Sequence, residues 1–185
     1  SPNNLSIQTI DIYVDIDPGA QTGARMLLPG RNLSLSSQNG WDYAIWAEGW
    51  TPQILSPDPD TLEPKEISDA DYKIIVDSAG RSVTIRVDKN LFKNQNFEEW
   101  GYAALLMGQE GYPATGVWRI RDVNPIAEQW RFGGASNSTN HTRVIDLAWM
   151  DDNAKTQEEL LSTYDPLNEN IDNLEPDDFA IIDLL

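Results

Sequence analysis

The stretch TIDIYVDIDPGA, residues 9–20, alternates Ile10, Ile12, Val14 and Ile16 with Asp11, Tyr13, Asp15 and Asp17. Side chains of a strand point to opposite faces in turn, so this pattern predicts a strand with an aliphatic face inward and a carboxylate face outward. Same-face neighbours lie roughly 7 Å apart, and carboxylates at that spacing repel unless something answers them. The expected answer is solvent together with cross-strand Arg86, Arg119 or Arg121. The alternative is a metal: Asp15 and Asp17 beside a Pro-Gly turn offer two hard oxygen ligands of the kind calcium takes.

The same periodicity runs on through the chain. GWDYAIWAEGW (40–50) reads as a strand with Trp41, Tyr43, Ile45 and Ala47 on one face and Asp42, Ala44, Trp46, Glu48 and Trp50 on the other. YKIIVDSAGRSVTIRVDKNLF reads as a hairpin around a short glycine-containing turn. YAALLM is a short apolar run flanked by glycines and reads as a buried strand, with a helix as the alternative. GVWRIRDV, AEQWRFGG and RVIDLAW supply further strand-like pieces, and the proline-rich 51–70 region predicts a loop with one short strand. Thr156 and Glu159 form the T-x-x-E of a capping box, which predicts a short helix. The acidic C-terminal segment with its apolar finish reads as a docked tail or a linker. Short strands separated by Gly- and Pro-rich connections predict an all-β, antiparallel sandwich over 1–150, with the short helix and acidic tail over 151–185.

Charge narrows the partners. Thirty acidic against thirteen basic residues give −17, which repels nucleic acid and anionic membranes and suits divalent cations and neutral ligands. The chain has no cysteine, so disulfides, iron–sulfur clusters and thiolate chemistry are excluded. No apolar run approaches the ~20 residues of a membrane-spanning helix. The SPNNLS opening, without methionine or signal peptide, reads as a mature or processed piece of something longer. Sequons begin at Asn4, Asn32, Asn137 and Asn140 and matter only in a glycosylating host.

Catalysis finds little support. Glycoside hydrolysis needs two carboxylates held roughly 5–10 Å apart, and nothing in the sequence selects two from thirty acids. Asp58, Asp60 and Glu63 sit in a proline-rich loop. His141, the single histidine, cannot build a typical zinc site alone. The seven tryptophans are more informative. Most are expected to fill the core, but indole faces also stack on sugar rings. Trp46, Trp50, Tyr112 and Trp118 are the candidate stacking residues, with Glu110 and Arg119 as their hydrogen-bonding partners.

The succession LSIQTIDIYVDIDPGA, LPGRN, GWDYAIWAEGW, GYPATGVWRIRDV, AEQWRFGG, RVIDL and LLSTYD resembles the C-terminal module of glucodextranases and of related secreted amylolytic and pullulan-degrading enzymes, from about Leu5 to Asp165. Such modules are DOMON-like sandwiches, similar to family-nine carbohydrate-binding modules. The resemblance implies a non-catalytic extracellular or cell-surface accessory module that binds polysaccharide, α-glucan-like, or a cell-envelope component. Members carry an acidic, Gly-rich segment and further strands upstream of the SPNNLS position. Those strands are expected from the rest of a processed precursor or from a neighbouring subunit. A haem-binding reading, as in some DOMON relatives, would rest on His141 and Met107 as axial ligands.

Overall fold

A computed structural model describes residues 1–93, 95–111, 118–148, 156–162, 168 and 170–185. The fold is all-β, dominated by a six-stranded sheet. Its strands are β1 (Gln8–Asp15), β3 (Tyr43–Ala47), β4 (Gln53–Pro57), β5 (Pro64–Glu66), β8 (Gly101–Gly108) and β9 (Val144–Leu147). They run in the spatial order β5-β4-β3-β1-β8-β9, with every pairing antiparallel. Two smaller pairs complete the layers: parallel β2 (Leu33–Leu35) with β10 (Ala180–Ile182), and the hairpin β6 (Tyr72–Asp77) with β7 (Ser82–Val87). The helix α1 spans Gln157–Leu161, and its capping box forms: the Glu159 amide donates to Thr156 Oγ1 while Glu159 Oε2 accepts from the Thr156 amide.

The opening strand forms where its alternation predicts, but both of its faces are covered, and the carboxylate face is the more deeply buried. Thr9, Asp11, Tyr13 and Asp15 are buried, whereas Ile10, Ile12 and Ile16 are half-buried. Register places Asp11 between Trp46 on β3 and Leu105 on β8, and Tyr13 between Ala44 and Ala103. This is the face that β2 and β10 cover, where Leu33, Leu35, Ala180 and Ile182 close the main core. The opposite face carries Val14 and Tyr43 against Phe92 and Trp100, with Ile12, Ile16, Val87 and Leu91 at the margin.

A carboxylate can sit in the main core because a guanidinium follows it there. Arg31, fully buried, donates from Nε to Asp11 Oδ2 at 2.6 Å and from Nη2 to Oδ1 at 3.2 Å. The Tyr13 hydroxyl adds a third bond to Asp11 at 2.9 Å, and Arg31 lies over the Trp46 ring at 5.1 Å. Asp11 therefore faces neither water nor Arg86, Arg119 or Arg121. Alternation fixes which residues share a face, not which face is covered, and one internal ion pair lets the carboxylate face be buried as well.

Other elements differ locally. The 51–70 region forms two strands, β4 and β5, rather than one. Among its described residues GVWRIRDV contributes one bridge, Ile120 to Gln109, and AEQWRFGG forms a tight loop with a single bridge between Glu128 and Arg131. The C-terminal tail is docked: β10 pairs with β2, and the Leu185 amide donates to the Tyr102 carbonyl at 2.8 Å.

Candidate functional site

The C-terminal ends of β3 and β8 lie on either side of the start of β1, at one end of the main sheet, and most candidate stacking residues lie near there. Buried Glu48, just past β3, accepts from the Trp50 amide at 3.0 Å, from the Thr51 amide and from the Gln109 side chain. Gln109 bridges to Ile120, and the Glu110 amide donates to the Arg119 carbonyl at 2.7 Å. Trp118 lies against Trp46 with ring centroids 5.7 Å apart. Trp46 itself belongs to the core: its Nε1 donates to Thr9 Oγ1 at 2.9 Å, and Trp118 and Arg31 flank its ring. With so little of it exposed it offers no face to a ligand, which corrects its assignment as a stacking residue. Trp50 is exposed, while Trp118, Glu110 and Arg119 are half-buried. Tyr112 lies outside the described residues.

The residues that stand out most were not legible as a site from the sequence. The loop 124–135 presents Ile126, Trp130 and Phe132 at 79, 65 and 57 % exposure. It is braced internally. The Asn124 amide donates to the Phe132 carbonyl at 2.8 Å, the Ala135 amide to the Asn124 carbonyl at 3.1 Å, and Asn124 Nδ2 to Glu128 Oε2 at 2.9 Å. Arg121 ties the loop to the sheet edge, donating from Nη1 to the Trp130 carbonyl at 2.8 Å while its Nε lies 3.6 Å from Glu110 Oε2. Trp130, Trp118 and Arg119 all adopt left-handed backbone, at φ 68°, 45° and 61°. Non-glycine residues pay for that conformation, and it recurs where a side chain is held for a purpose. The available signal was the pairing of an aromatic W-x-F with flanking Gly-Gly, which reads equally as a strand end.

A second group of side chains gathers at the far end of β1. Asp15, Asp17 and Asp42 each offer a carboxylate oxygen, all within 4.8 Å of one another. Asp15 Oδ1 accepts from the Asp17 amide at 3.0 Å and its Oδ2 from the Gly40 amide at 3.2 Å; Asp42 Oδ2 accepts from the Ile16 amide at 2.9 Å. Burial, reinforced by the charges of Asp17 and Asp15, pushes Asp42 up to about 6 despite its backbone bond. Gly40 is required here, since a Cβ would fall 1.9 Å from the Thr22 carbonyl oxygen. Asp42, which the sequence placed on a strand face, is the third member of the Asp15–Asp17 cluster.

The haem ligands are not brought into a usable arrangement. Met107 is sealed in the main core. Both ring nitrogens of His141 are engaged, Nδ1 with the Ser138 carbonyl at 2.7 Å and Nε2 with Asp122 Oδ1 at 3.0 Å. Asp122 also accepts from Arg143 Nε at 3.0 Å. No described helix is long and apolar enough to cross a membrane.

The fold is an all-β sandwich that presents exposed aromatics on a braced loop. The family model for the C-terminal binding module, SLH-like, of glucodextranase matches residues 1–176, and the chain belongs to that family. No curated protein matches the chain.

Proposed function

We propose that this module binds a neutral polysaccharide, α-glucan-like, as a non-catalytic accessory part of a larger secreted or surface enzyme. The observation that carries the reading is the exposed Trp130–Phe132 pair held on a braced loop beside Glu110 and Arg121. Flat, rigid aromatic faces bury sugar C–H surfaces at little entropic cost, and a carboxylate beside them accepts from hydroxyls. Trp118 and Trp50 extend the face, with Arg119 as a further donor. Co-sedimentation with insoluble starch tests it: the wild-type chain is expected in the pellet, and Trp130→Ala/Phe132→Ala mostly in the supernatant. Retention of the double variant to the same extent as the wild type would refute the aromatic face.

A second reading is attachment to another cell-envelope component, favoured by the SLH-like description of the family and the strongly acidic chain. Pelleting with purified envelope fragments but not with starch would select it. For the acidic cluster we propose a structural calcium ion held by Asp15, Asp17 and Asp42. Its donor set consists of hard oxygens alone, the chemistry calcium prefers, and a divalent cation would neutralise three crowded carboxylates. Millimolar calcium is expected to raise the thermal midpoint of the wild-type chain and not that of Asp42→Asn. An equal response of both proteins would place the ion elsewhere.

A further inference from the structure

A groove of about 800 Å³ lies on the β2–β10 side of the molecule, between the 21–32 segment, the 61–64 turn and the 172–179 segment. None of the residues of the aromatic edge lines it. Its size falls within the roughly 300–1,000 Å³ of ligand clefts. Its base includes buried Leu27 and Phe179, and Met26 and Leu62 line it at 41 and 50 % exposure.

The charges of the lining argue against an anion. Arg25 is paired with Asp177 at 2.5 Å and also donates to the Leu35 carbonyl; Arg143 is paired with Asp122 at 3.0 Å. Glu63, Asp172 and Glu175 also line the groove, and none forms an ion pair among the described residues. Hydroxyl and amide side chains such as Gln21, Thr61 and Thr139 make up much of the remainder. Two neutralised guanidiniums, three carboxylates outside any ion pair among the described residues and aliphatic walls match a neutral ligand rich in hydroxyls that also presents C–H faces.

We infer that this groove is a second saccharide site, one that takes a short internal stretch of a glucan chain while the aromatic loop takes its flat face. The inference rests on the carbohydrate-binding reading above. Two weak sites on one rigid module bind a polymer more tightly than an oligomer, because the second contact is made at high effective concentration.

The test is an amide-resolved NMR titration of the whole chain with maltoheptaose and, separately, isomaltoheptaose. The expected result is two independently saturating sets of shifts, one at Trp118–Arg121 and 126–132, the other at Arg25–Leu27 and Thr61–Glu63. Met26→Lys/Leu62→Lys, with both changes on exposed side chains, is expected to weaken the second set at least tenfold and leave the first unchanged. Trp130→Ala is expected to do the reverse. Shifts confined to the aromatic set, or a groove variant that binds like wild type, would overturn the groove and leave the carbohydrate reading standing. Absence of shifts with both sugars would overturn both.

Discussion

Replacing Arg31 with Met would leave the Asp11 carboxylate buried between Trp46 and Leu105 with the Tyr13 hydroxyl as its remaining side-chain donor. Breaking a buried pair from one side costs about 3–5 kcal/mol, because the partner charge stays desolvated and uncompensated. Urea unfolding of Arg31→Met is expected to show a loss of that order, and Asp11→Leu/Arg31→Met to recover most of it. Asp122 makes a pH-dependent contribution. Burial works against its charge, but Arg143 and His141 outweigh it and hold the carboxyl below its usual 3.8. A depressed folded pKa stabilises above the unfolded value and is lost as pH falls through the folded one. The stability gap between wild type and Asp122→Asn should therefore be present near neutrality and shrink below about pH 4; a gap independent of pH would contradict the pairing. Asp11 shows why these details escape a sequence reading: its partner lies twenty residues away in a glycine-flanked loop, and no periodicity connects them.

At the scale of elements, β10 does more than its sequence suggests. Residues 180–182 pair with β2, Ile182 and Ala180 enter the main core, and Ser34 Oγ donates to the Pro176 carbonyl at 2.6 Å. The segment lies just beyond the family match at residue 176, yet it closes the layer over Leu33 and Leu35. Ile182→Ala is expected to cost about 2–5 kcal/mol, as large-to-small changes in a packed core do; a loss under about 0.5 kcal/mol in urea unfolding would mean the tail is only peripherally attached. The strands with clear period-two patterns, β1, β3, β6 and β7, were legible, as was the capping box of α1, because local spacing alone determines them. The loop 124–135 was not. Its shape depends on Arg121 reaching the Trp130 carbonyl and on Asn124 bonding across the loop, contacts invisible to a windowed pattern.

For the whole molecule, a charge of −17 and the exposed aromatics of the 124–135 loop favour a neutral partner over an anionic one. Binding that relies on stacking and neutral hydrogen bonds is little screened by salt, so glucan affinity is expected to change by less than about twofold between low and high ionic strength. A steep fall would identify an ionic partner instead. The sandwich class follows from sequence, which also singles out Trp50, Glu110, Trp118 and Arg119 as candidates, whereas the exposed aromatics of the loop emerge only once it is folded. The most direct test of the central claim is affinity gel electrophoresis through soluble α-glucan, comparing wild type with Trp130→Ala/Phe132→Ala. Strong retardation of the wild type, reduced in the variant to a weak residual shift, is the predicted result; equal retardation of the two proteins by glucan would contradict it.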